Sequence, residues 1–157
     1  VISSDATTTL SPPRPDAETS GRVLVWFEAT SRGRAALDRA AHLAAATDAE
    51  LTVVTVATPA PLSGCASCRH SAVIWNRELR EIAQEELVEA ATRLGPLTTA
   101  RFVAEEGELA DSIARAARAC GATTIVLPQA RAGRILSGPD RRLDARLRER
   151  GAWRIVF

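Results

Sequence analysis

A chain of 157 residues, 46% hydrophobic and 25% charged, has the size and composition of one globular domain with a single core. Its net charge of +1 predicts no polyanion partner, and all 20 basic residues are arginine, so neither a Walker A loop nor a kinase-type ATP site, each of which needs a lysine, is available. Three cysteines, an odd number, argue against a disulfide framework and suit the reducing cytoplasm, and no apolar run approaches the ~20 residues of a membrane span.

Residues 1–20 are rich in Ser, Thr, Pro and Asp, with no apolar core, and read as a disordered tail rather than a signal peptide. RVLVWF (22–27) is a buried strand in composition. EATSRG follows as a turn in which Thr30 or Ser31 caps a helix. The helix, RAALDRAAHLAAATDAE, places Ala36, Leu37, Ala40, Ala41, Leu43 and Ala44 on one apolar face. LTVVTVA (51–57) is a second strand, and residues 59–72, opened by prolines, are a loop. A second helix over 73–94 carries Leu79, Ile82, Ala83, Leu87, Ala90, Ala91 and Leu94 on one face, and Gly95 and Pro96 stop it. LTTARFVAEEG (97–107) is a third strand, less apolar and therefore expected near a sheet edge. ELADSIARAARACGA (108–122) is a third helix ending at Gly121, and TTIVLP (123–128) is a fourth strand. A short basic helix over 140–151 and a last strand, AWRIVF (152–157), complete the series.

Strands alternating with helices over short links predict a single α/β domain over 21–157: a doubly wound, five-stranded parallel sheet with helices on both faces. In such a sheet ligands sit beyond the carboxyl ends of the strands. The candidate positions are Glu28–Ser31, Ala57–His70, Glu105–Glu108 and Pro128–Gly138. EATSRG has no glycine pattern for a dinucleotide. A receiver domain needs a second acid at the first strand and a lysine near the last, and a serine hydrolase needs a G-x-S-x-G elbow; all are missing. With 4% aromatic residues and no tyrosine, the chain also lacks stacking platforms for nucleic acid.

Two sections, RVLVWFEATSRGRAALDRAAHLA and VAEEGELADSIARAARACGATTIVLP, resemble the universal stress protein family. The former is similar to that family's opening strand, acid–small–Ser/Thr turn and first helix. The latter is similar to its third strand, helix and fourth strand, and the similarity of element order extends over 22–157. The resemblance implies a homodimer, paired in many members through the last strands, and an ATP or AMP site. By the same resemblance Glu28, Thr30, Val56, Arg131, Gly133, Arg134, Ser137 and Gly138 line that site. The family's ATP-binding members carry G-x-x-G, about nine residues, then G-[ST] after the fourth strand, where glycine amides approach phosphate closely. Aligned from the end of TIVL, Pro128 stands at the first glycine position and Arg131 at the second, and Gly138 meets the third only after a gap. The resemblance therefore implies a regulatory or interaction protein, non-catalytic, with an altered nucleotide site that binds ATP weakly or not at all. The alternative is a working adenine-nucleotide binder using Glu28 near the ribose or metal, with Arg131 and Arg134 replacing glycine amides.

The basic tip, Arg131, Arg134, Arg141 and Arg142, reads either as an anion site or as a solvated loop partly neutralised by Asp140 and Asp144. Cys65-x-x-Cys68-x-His70 leaves three readings open. It holds two thiols and an imidazole toward zinc, with a fourth ligand still required. It is a dithiol–disulfide pair. Or it is an unremarkable flexible loop, the placement expected when the motif precedes a helix rather than opening it. His42 reads as a surface or partly buried helix residue, Cys120 as small core packing, and Trp26 and Trp153 as core.

Overall fold

The computed structural model describes residues 21–129 and 142–157. The tail expected over 1–20 and the site candidates Arg131, Gly133, Arg134, Ser137 and Gly138 lie outside the described residues. The elements run β1 (Arg22–Trp26), α1 (Ser31–Thr47), β2 (Glu50–Ala57), α2 (Ala66–Leu94), β3 (Ala100–Glu106), α3 (Leu109–Cys120), β4 (Thr124–Val126), α4 (Leu143–Arg150) and β5 (Arg154–Val156).

The five strands form one sheet in the order β3-β2-β1-β4-β5, every pair parallel. Hydrophobicity explains the order. Val23, Leu24 and Val25 of β1 and Leu51, Val53 and Val54 of β2 are all buried, so both faces of the central strands are covered. β3, whose residues are only exposed or half-buried, takes one edge. Against one face α1 and α2 pack Ala36, Leu37, Ala40, Leu87 and Ala90 onto Val23, Val25, Phe27, Leu51, Val53 and Val126. Against the other, α3 and α4 pack Ala110, Ile113, Ala114, Ala117, Leu143 and Leu147 onto Leu24, Val54 and Ile125. Each fully buried Leu, Ile or Phe contributes about 1.5–3 kcal/mol.

Boundaries differ from the sequence reading in two instructive places. The first helix stops at Thr47, because Asp48 takes a left-handed conformation (φ 50°) and the amides of Asp48 and Ala49 both turn back onto the Ala44 carbonyl. The second helix starts seven residues before position 73, at Ala66, with Cys65 as its N-cap. It is 29 residues long, or about 43 Å, whereas the eight residues of β2 span only about 26 Å. Its first buried residue is Asn76, so its opening turns stand beyond the carboxyl edge of the sheet. Ile82, expected on its buried face, is 47% exposed, and the face that packs runs through Asn76, Ala83, Leu87 and Ala90. Trp26 and Trp153 are only partly buried at the margin of the second core, with the Arg118 guanidinium 5.8 Å over the Trp153 ring. Cys120 also packs there, half-buried.

Candidate functional site

The strand order reverses direction between β1 and β4, which makes their carboxyl ends the switch point of the sheet. Glu28 lies there, half-buried, at the end of β1. Its backbone carbonyl accepts the Thr30 amide at 2.7 Å, an i→i+2 turn, and its carboxylate accepts the Thr30 hydroxyl at 3.2 Å. Thr30, one of the two expected caps, is the N-cap of α1, its Oγ1 accepting the Gly33 amide at 3.0 Å. Gly33 was not singled out by sequence, yet a Cβ there would lie 2.0 Å from the Glu28 carbonyl oxygen. Only glycine lets α1 begin so close under the β1 turn.

Beside Glu28, the residues Arg32, Leu127, Pro128, Leu143 and Phe157 line a cavity of about 30 Å³. Pro128 follows directly on Leu127, whose amide donates to the Val156 carbonyl at 2.8 Å. The second backbone position after β4, Pro128, therefore offers no donor. Val56, the third described candidate, is half-buried near the carboxyl end of β2, on the α3 face of the sheet. Glu28, Thr30 and Val56 thus share one end of the sheet.

Glu86 is a residue that sequence reading missed. It reaches from α2 to accept the Ala29 amide at 2.9 Å, tying the β1 turn to that helix. Burial pushes its carboxyl up, the Ala29 amide opposes this, and the carboxylates of Glu28 and Glu89 add to the upward shift. The proton is held more tightly in the folded than in the unfolded chain. Stability therefore falls as pH rises from the ordinary glutamate range through the raised folded value, and the penalty persists at neutral pH. Glu86→Gln keeps an acceptor for Ala29 and removes the ionisation. Its advantage over the parent in urea unfolding is expected to grow from pH 4 to pH 7, and a constant difference across that range would sink this account.

The acidic candidates Glu105, Glu106 and Glu108 are engaged by arginines. Arg80 of α2 makes a two-pronged contact with Glu106 at 2.7 and 2.9 Å. Arg115 of α3 binds Glu105, at 2.9 Å through Nε, and Arg146 of α4 binds Glu108 at 2.7 Å. Glu108 also caps α3 by accepting the Asp111 amide. These carboxylates fasten three helices to the sheet end. Arg34–Glu89 at 2.6 Å and Arg93–Asp38 at 2.6 and 2.8 Å likewise join α1 to α2.

The cysteine motif is not in a loop. Cys65 caps α2 and Cys68 lies in its first turn. His70, two residues on from Cys68, leaves the helix in a different direction, since i,i+2 neighbours do not share a face. Among the described residues no group of three or more His, Cys, Asp or Glu side chains is placed to hold a metal ion. The segment leading to Cys65 is anchored by Asn76, a buried helix residue whose side chain accepts the Ala60 amide at 2.7 Å and donates to the Ala60 carbonyl at 3.0 Å. His42 is exposed on α1. No helix among the described residues is long and apolar enough to cross a membrane.

The model of the universal stress protein family matches residues 19–144. Among solved structures, a protein of that family from Burkholderia pseudomallei is 25% identical, with a TM-score of 0.63, over 90% of this chain and 97% of its own. A universal stress protein in complex with cAMP is 21% identical, with a TM-score of 0.59, over 88% and 97%. A universal stress protein from Archaeoglobus fulgidus, in complex with dAMP, is 16% identical, with a TM-score of 0.59, over 87% and 95%. No curated protein matches the chain.

Proposed function

Because the chain belongs to the universal stress protein family, we propose that it is a non-catalytic regulatory or interaction protein of that family, a homodimer paired through β5, whose altered nucleotide site holds ATP weakly or not at all. The observation that carries this reading is Pro128. It stands where the family's phosphate loop begins, and it supplies neither a glycine's close approach nor an amide donor. The paired state of Glu105, Glu106 and Glu108 supports a non-catalytic role. The three cysteines fit a cytoplasmic setting.

A second reading is an adenine-nucleotide binder. It is favoured by the cAMP and dAMP complexes of proteins sharing this fold. It would use Glu28 at the ribose end of the cleft, with Arg131 and Arg134 as guanidinium donors to phosphate.

Calorimetry with ATP, AMP and cAMP separates the two. ATP is expected to bind with a dissociation constant in the high micromolar range or poorer, less than about 7 kcal/mol. The Pro128→Gly, Arg131→Gly double variant is expected to tighten ATP by at least about tenfold, roughly 1.4 kcal/mol. Submicromolar affinity of the parent chain for any of the three nucleotides would favour the second reading and overturn the first.

A further inference from the structure

The opening of α2 carries chemistry that the nucleotide cleft does not use. Cys65 and Cys68 are both exposed, and both are free thiols. Their sulfurs lie 2.8 Å apart, in direct contact, and the Cys65 Sγ also accepts the Cys68 amide at 3.3 Å. The backbone sets this up. Gly64 has φ +95°, a left-handed value that a side chain rarely adopts, and its α-carbon side packs toward Cys68: a Cβ there would be 3.3 Å from Cys68 Cβ and 3.7 Å from its Sγ. The chain thereby enters the helix with the capping sulfur directly over the first turn. Asn76 holds the approach to that turn through its paired hydrogen bonds to Ala60. The remaining thiol, Cys120, ends α3 and lines a cavity with Arg22, Glu50 and Thr52 at the amino ends of the strands. It is at the far end of the sheet from the pair.

We propose that Cys65 and Cys68 form a thiol–disulfide exchange site for small-molecule disulfides, with Cys65 as the attacking sulfur and Cys68 as the resolving one. A helix N-terminus favours a negative charge on the capping sulfur, the Cys68 amide donates to it, and once Cys65 is a thiolate the touching Cys68 thiol is the donor of the pair. Those hydrogen bonds, the thiol's foremost, hold the Cys65 thiol below its ordinary value.

Cys65 gives up its proton, and the thiolate attacks one sulfur of R–S–S–R. A Cys65–S–S–R bond forms, the original S–S bond breaks, and one R–S⁻ leaves and takes a proton from solvent. Cys68 then loses its proton and attacks Cys65 Sγ. The Cys65–Cys68 disulfide forms, and the second R–S⁻ leaves and is protonated. Two electrons pass from the protein dithiol to the small disulfide, which ends as two thiols. The neighbouring sulfur is already in contact, so the second step needs only a side-chain rotation.

The test uses the full chain, equilibrated with glutathione disulfide and glutathione mixtures, then alkylated and weighed intact, with peptide mapping. The expected result is loss of two of the three alkylatable thiols, with a mass two hydrogens lower, no retained glutathione and no covalent dimer; Cys120 stays alkylatable. Cys68→Ser is expected to accumulate one glutathione on Cys65. Cys65→Ser is expected to show no adduct on the same time scale. Both positions are exposed, and matching melting temperatures will show that the variants fold. Three free thiols after equilibration, glutathione retained on both cysteines, chains joined through them, or an adduct forming as fast in Cys65→Ser as in Cys68→Ser would each overturn the proposal. No nucleotide enters the assay, so its outcome is independent of the nucleotide reading.

Discussion

Replacing Gly33 by alanine is expected to destabilise the protein by about 3 kcal/mol, at the upper end of the usual overpacking range. Helix propensity alone argues the opposite, because Ala is better than Gly inside a helix by about 1 kcal/mol. Sterics decide the sign. The new Cβ would sit 2.0 Å from the Glu28 carbonyl oxygen and 3.1 Å from Glu28 Cγ. The carbonyl is backbone and cannot rotate away without giving up its 2.7 Å bond to the Thr30 amide. Moving α1 instead would pull Ala36 and Leu37 off Phe27, all three fully buried. Either relief also displaces Glu28, so the variant should lose whatever nucleotide affinity the parent has. Urea unfolding measures the first effect. A midpoint equal to or above the parent's would show that the close approach is not real.

That contact marks the boundary of what the sequence discloses. The strands were legible because burial on both faces leaves a continuous apolar run, as in VLV and LTVV, and the edge position of β3 was legible because ARFVAEE lacks one. Helix faces were legible where they touch the sheet. The opening of α2 was not, because turns that overhang the sheet bury nothing and so carry no hydrophobic period, and the prolines and glycine of PAPLSG speak for a loop. The expected placement of Cys65 and Cys68 in a loop had the same cause. Asn76 and Glu86 escaped notice for a related reason: each is polar on or beside a buried helix face, and its purpose is visible only once Ala60 and Ala29 are opposite it. The acids Glu105, Glu106 and Glu108 were correctly placed at the sheet end, but their arginine partners are 10, 26 and 38 residues away, a separation no local pattern reports. Pro128 was legible at once, since a missing amide is a property of the residue itself.

Ile155→Pro is expected to weaken self-association by roughly 30- to 150-fold while leaving the monomer folded. β5 is an edge strand, and its outward groups are set by alternation along the strand. The Arg154 amide donates to the Thr123 carbonyl at 3.0 Å and the Val156 carbonyl accepts the Leu127 amide at 2.8 Å, so Arg154 and Val156 turn their polar groups toward β4. Within a strand the next residue turns its groups the other way. The amide and carbonyl of Ile155 therefore face the open edge, with Phe157 43% exposed beside them. In a two-fold dimer paired through β5, proline at 155 removes this donor from both copies. Two hydrogen bonds at about 1–1.5 kcal/mol each amount to roughly 2–3 kcal/mol, which is the stated factor. Val156→Pro makes the contrast: it removes a donor to β4 and should lower the stability of the single chain instead. Light scattering and sedimentation at micromolar concentration read the first effect, and urea unfolding reads the second. A parent chain that is monomeric there would refute the dimer, and an Ile155→Pro variant that associates as tightly as the parent would refute pairing through β5.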